Sequence, residues 1–78
     1  MKFGVSLAQL KTGQKGHVAA LHISEPMRQR LLNLGMIPGT EVLCLGVAPS
    51  GSPIRYEIRG TAIALRRKDA ENIELEVV

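Results

Sequence analysis

The chain has 78 residues, 45% of them apolar and 22% charged, the balance of a folded chain rather than a disordered one. At this length residues 1–78 make one small domain with a thin core, which excludes a large enzyme with a deep, two-walled active site. Ten Lys and Arg against seven Asp and Glu leave +3, mildly basic and by itself no nucleic-acid signature.

Val5-Ser6-Leu7-Ala8-Gln9-Leu10 has the logic of a short capped helix. Ser6 can accept from the Gln9 amide, Gln9 can reach back, and Val5 can staple onto Leu10 before Gly13 stops the turn. Residues 16–23, GHVAALHI, read as the first strand, entered from a glycine turn. Ser24-Glu25-Pro26 then opens the one convincing helix, with Ser or Glu as cap and Pro tolerated in the first turn. Met27, Leu31 and Leu34 stand at i, i+4 and i+7, a stripe expected to face the core. Gly35 is expected to end the helix in a left-handed conformation, and Pro38-Gly39 has the sequence of a type II turn.

The rest reads as strand. Residues 40–47 form the second, and Ala48-Pro49-Ser50-Gly51-Ser52-Pro53 is a loop. Ile54-Arg55-Tyr56-Glu57-Ile58-Arg59 alternates between apolar and charged, as a half-buried antiparallel strand does. Gly60 permits a tight reversal into residues 61–65. Lys68-Asp69-Ala70-Glu71-Asn72 suffices for one helical turn, and residues 73–77 alternate again. Five short strands imply a mainly β fold, a small antiparallel barrel with one amphipathic helix after the first strand and a helical turn at the N-terminus. Closure would hide edges that otherwise aggregate. Val18, Leu31, Leu34, Val42, Ile58, Ile63 and Ile73 are the expected core.

Little here carries covalent chemistry. Gly13-Gln14-Lys15-Gly16 lacks the spacing of a phosphate loop and leads into a strand, not a helix. Cys44 is the only cysteine, so no internal disulfide can form, and its mid-strand position suits a small buried hydrophobe. For want of a nucleophile–base pair, no enzymatic activity and no cofactor are expected. A transition-metal site has its best candidates in His22 and Glu25, which could face each other across the strand-to-helix junction. His17 and His22 point to opposite faces of a strand unless a bulge intervenes. Nucleic acid is not expected as a partner. Arg66-Arg67-Lys68 runs straight into Asp69 and Glu71, and Phe3 with Tyr56 cannot build a stacking platform. The longest uncharged stretch, residues 42–54, is broken by Pro49 and Pro53, and a span needs about 20 apolar residues. The chain is therefore expected to be intracellular, unprocessed and not itself inserted in a membrane.

Protein docking is the reading with a positive signal. At about 100° per residue, Leu32 projects away from the Met27/Leu31/Leu34 stripe and lies beside Arg28. An apolar anchor beside a cation on a rigid element suits an interface. The expected docking face comprises Arg28 and Leu32 and continues to Met36, Ile37 and Pro38. The loop 49–53 is its rival.

Arg30-Leu31-Leu32-Asn33-Leu34-Gly35-Met36-Ile37-Pro38-Gly39 resembles the Leu-x-x-Leu-Gly-hydrophobic-x-Pro-Gly motif of the FeoA-like family. The likeness extends to residues 7–13, Gly16-His17-Val18, the 48–54 loop, and Gly60 with Ile63-Ala64-Leu65-Arg66, Ala70 and Ile73. Ser52 departs from it, standing where the family often has Asp. The resemblance implies an SH3-like barrel and a cytoplasmic, bacterial accessory protein of ferrous iron transport. It implies as partner a FeoB-like membrane transporter that carries its own GTP-binding domain, with membrane association through that partner and weak self-association left open. The same domain type ends iron- and manganese-responsive repressors, which makes a metal-binding carrier or sensor the alternative.

Overall fold

The structure, a computed structural model, describes residues 5–76. In chain order these form β1 (Val5–Ser6), a 3-10 turn (Leu7–Gln9), β2 (Lys15–Leu21), α1 (Met27–Leu34), β3 (Glu41–Val47), β4 (Ile54–Ile58), β5 (Thr61–Leu65), α2 (Arg67–Ala70) and β6 (Ile73–Glu76). Val77, expected to finish the last strand, lies outside the described residues.

The alternation read from the sequence decides which way the strands face. On β4, Ile54, Tyr56 and Ile58 are fully buried while Arg55 is exposed, and on β6 Ile73 and Leu75 go inward. Val18 and Leu21 are three apart, so a regular strand would send them to opposite faces. A register shift between Val18 and Ala20 against β6 brings both into the core. A similar shift between Cys44 and Gly46 follows buried Val42 and Cys44 on β3.

The strands form one antiparallel sheet of six, in the order β1-β6-β2-β3-β4-β5. Two expectations are corrected. The sixth strand is β1, where Val5 and Ser6 pair with Leu75 and Glu74 instead of starting the helical turn. The sheet is also not closed: among the described residues β1 gives way to the 3-10 turn at Leu7 and does not pair with β5. Gln9 fixes that turn, its Oε1 accepting from the Ser6 amide at 2.7 Å. The curled ends meet through side chains: the buried Tyr56 hydroxyl donates to the Leu7 carbonyl at 3.2 Å, and α2 lies against the 3-10 turn.

Neither Ser24 nor Glu25 caps α1 with its side chain; the Ser24 carbonyl accepts the Arg28 amide at 3.2 Å instead. The helix ends as expected. Gly35 adopts φ 106°, and its amide donates to Leu32 O while the Met36 amide donates to Leu31 O, each at 3.0 Å. This is a Schellman motif, in which the residue after the glycine folds back over the last turn. Ile37-Pro38-Gly39-Thr40 follows as a turn, with Gly39 at φ 94° and the Thr40 amide donating to Ile37 O at 3.0 Å.

The core holds Val18, Leu31, Val42, Ile58 and Ile73, as expected, with Ile63 packed against it in part. Leu34 is the exception: it is 46% exposed. Leu31 is the buried residue of α1, Met27 and Leu32 pack partly against the core, and Leu34 is left exposed.

Candidate functional site

The residues of the expected docking face differ in exposure. Arg28, Ile37 and Pro38 are exposed. Met36 is not: the Schellman fold-back places it over Leu31 with no exposure, so it offers no surface. Leu32, expected to point away from the core, is half-buried against it. Arg28 reaches the Glu25 carboxylate at 3.6 Å, an exposed pair that contributes little to stability.

The two metal candidates are drawn to different partners. His22 Nε2 lies 3.0 Å from Glu74 Oε1 on β6, whereas Glu25 turns to Arg28. His22 and Glu74 edge a small cavity of about 120 Å³ with Val5, Ser6 and Glu71. Among the described residues no three His, Cys, Asp or Glu side chains converge on a metal-sized position, so they do not form a ready-made metal centre. Cys44 is buried within β3, where a thiol is inert.

The rival loop is held from inside. Ser52 Oγ accepts the Arg67 amide at 3.1 Å, and Arg67 Nε donates to the Gly51 carbonyl at 2.9 Å. Ser50 Oγ donates in turn to the Ser52 carbonyl at 3.0 Å. The position where the family often carries Asp thus serves here as an acceptor at the start of α2.

The surface that the sequence did not disclose is a groove of about 250 Å³ between α1 and β5. Met27, Arg30, Leu31 and Leu34 form one wall and residues 63–65 the other. Its helical wall is the stripe expected to be core. Only Leu31 is buried; Met27 is half-buried and Leu34 exposed. One sequence signal did point there: Thr61-Ala62-Ile63-Ala64-Leu65 carries no charge, unlike the alternating strand before it.

The profile of the FeoA domain family matches residues 5–77. A Porphyromonas gingivalis protein described as an Fe(2+) transport protein A/Fe(2+) transporter FeoB fusion is 31% identical over 72 residues. The match takes in 92% of this chain but 8% of that protein, so the chain spans a small part of this relative. The solution structure of the FeoA protein from Chlorobium tepidum superposes with a TM-score of 0.90 at 31% identity, covering 95% of this chain and 70% of that one. Stenotrophomonas maltophilia FeoA complexed with zinc, described as a procaryotic SH3 domain protein, gives 0.82 at 25% identity, covering 94% and 91%. The architecture is SH3-like, with the sheet left open.

Proposed function

This chain belongs to the FeoA domain family, and on that footing we propose that it is a non-catalytic accessory of ferrous iron uptake that docks onto a FeoB-like membrane transporter. The carrying observation is the fusion relative, in which a segment 31% identical to this chain shares a polypeptide with a FeoB transporter. Fusion holds two modules at high effective concentration, which serves parts that work in contact. No helix among the described residues is long and apolar enough to cross a membrane. On this reading the protein works in the cytoplasm and reaches the membrane through the transporter.

The proposed docking face comprises Arg28, Ile37, Pro38 and the uncovered edge of Leu32. Immobilised protein should retain the FeoB-like transporter from detergent-solubilised membranes of its own cells. Ile37→Asp combined with Arg28→Glu should weaken that retention without lowering the melting temperature, since both side chains are exposed. Failure of the folded wild-type protein to retain the transporter would overturn the accessory role. Normal retention by the double variant would overturn only the face.

A second reading, a metal-binding carrier or sensor, draws on the zinc complex of the Stenotrophomonas maltophilia relative and on the His22–Glu74 contact here. Calorimetric titration with ferrous or zinc ion decides it. Stoichiometric, sub-micromolar binding that His22→Ala removes would support it, and a flat titration would dismiss it.

A further inference from the structure

We propose that the groove between α1 and β5 is a strand-addition site for an extended, acidic segment of a partner protein, which hydrogen-bonds along β5 and seats an apolar side chain between Met27, Leu34 and Ile63. The inference rests on the reading of this chain as an interaction module, though not on the identity of its partner.

The backbone supplies the first argument. Among the described residues β5 is the last strand of the sheet, and no strand pairs with its outer side. Its hairpin with β4 turns through Arg59 and Gly60, at φ 49° and 80°, the two consecutive positive angles of a type I′ turn. That turn makes Ile58 and Thr61 a hydrogen-bonded pair, and the alternation then pairs Tyr56 with Ile63 and Ile54 with Leu65. The N–H and C=O groups of Ala62 and Ala64 therefore point away from β4, toward the free edge. Among the described residues no hydrogen bond reaches either alanine from beyond the hairpin. Their small, exposed side chains leave the edge open to approach.

Exposed edges are normally defended by charge, proline, a bulge or brevity. β5 has five residues, no charge, no proline and an unbroken register. An undefended edge beside an apolar groove is the arrangement that strand-adding domains use, with main-chain bonds for affinity and a side-chain pocket for selection.

Charge selects the occupant. Arg30 lines the groove, Arg66 follows Leu65 at one end, and Arg59 lies against Gly35 at the other. Among the described residues none of the three forms an ion pair with a carboxylate. Glu57, opposite Ala62, alternates with inward-facing Tyr56 and so belongs to the outer face of the sheet. A second copy docking edge to edge would bring these arginines against their own counterparts. An acidic segment would instead satisfy them.

The test uses the isotopically labelled protein and a blocked synthetic peptide alternating valine with glutamate, beside a version with lysine for glutamate. The acidic peptide should give saturable amide shifts at Ala62, Ala64, Met27 and Leu34, and should slow hydrogen exchange at the two alanines. Arg30→Glu with Arg66→Glu should weaken it by about tenfold or more. Leu34→Asp should remove binding at an unchanged melting temperature. Absent shifts, shifts confined to the Arg28–Ile37 flank, equal binding of the lysine peptide, or slow exchange at the free edge because of a second copy would each overturn the proposal. Transporter retention is a separate readout. If it persists while the acidic peptide does not bind, the groove fails and the accessory role stands.

Discussion

Tyr56 and Leu7 join the two sides of the open sheet through a single buried hydrogen bond, phenol to carbonyl at 3.2 Å. Tyr56 lies on β4, next to the β5 edge, while Leu7 begins the turn that follows β1 at the other edge. The contact supplies part of what strand pairing would supply in a closed barrel. Tyr56→Phe keeps the ring and removes one of the two donors to the Leu7 carbonyl, which retains the Leu10 amide at 3.2 Å, so a loss of about 0.5–1.5 kcal/mol is expected in chemical denaturation.

The same phenol makes stability sensitive to alkali. Burial pushes its pKa well above the ordinary value of about 10, with Cys44 acting in the same direction and Arg67 partly opposing. The folded state therefore holds its proton at pH values where the unfolded chain has released it. The contribution is intact below pH of about 10 and is lost as pH rises from there toward the raised folded value. Wild-type stability should fall over that range more steeply than that of Tyr56→Phe. Parallel slopes in the two proteins would show that the phenol is not the linked group.

Leu31 and Leu34 occupy the same stripe and should respond in opposite ways. Leu31 is 2% exposed within the core, so Leu31→Ala should cost about 2–5 kcal/mol, enough to threaten a domain of this size. Leu34→Asp, at the rim, should change stability by no more than about 0.5 kcal/mol. Leu32→Asp falls between them, because that side chain touches the core. A melting series in that order checks which face of α1 is buried. Equal losses at Leu31 and Leu34 would place both in the interior.

The strands were legible because their signal is local. Alternation from Ile54 to Ile58, and glycine or proline at the boundaries, fix faces and ends within a few residues. The same holds for Gly35 and Pro38-Gly39, whose roles are written in their own backbone preferences. What stayed hidden depends on relations between distant segments. A stripe at i, i+4 and i+7 says that Leu34 faces something apolar, but not that β5 stops short of covering it. The sequence equally does not state that the described parts of β1 and β5 stay apart, since closure depends on where the chain turns away at Leu7. Met36 was misplaced for a different reason: hydrophobic segments after a helix look exposed until the Schellman fold-back is followed through. His22 drew Glu74 rather than Glu25 because pairing of β2 with β6 brings residues far apart in sequence together.

Gly35 and Gly39 differ in their surroundings and should separate two costs. Both hold strongly positive φ, so alanine at either should destabilise by about 1 kcal/mol or more. A side chain at Gly39 would meet nothing, whereas one at Gly35 would come within 2.7 Å of Arg59 Cδ. Arg59→Ala should therefore recover part of the loss in Gly35→Ala and none of it in Gly39→Ala. A double-mutant cycle on thermal unfolding measures the difference, and identical behaviour at the two sites would refute the Arg59 contact.

Ser52 offers the most direct link between the family's sequence habit and this chain's structure. Its hydroxyl accepts the Arg67 amide at 3.1 Å, at the first residue of α2, while the Arg67 side chain anchors on Gly51. Ser52→Ala leaves that amide without its acceptor and should cost about 1 kcal/mol. Ser52→Asp restores the residue often found in the family and replaces a neutral acceptor with a charged one beside a guanidinium. Charge-assisted bonds of this kind are about twice as strong, so this variant should gain roughly 0.5–1 kcal/mol. For a domain this small, a change of about 1 kcal/mol moves the melting temperature by about 4–8 °C, well within reach of calorimetry. The gain should shrink in high salt, as an exposed ionic contact does. Transporter retention should be unaffected by either variant, because the hydroxyl is turned to α2 and the proposed docking face lies elsewhere. If Ser52→Ala melts like the wild type and loses the transporter, the loop is a docking surface and the acceptor role of Ser52 is incidental.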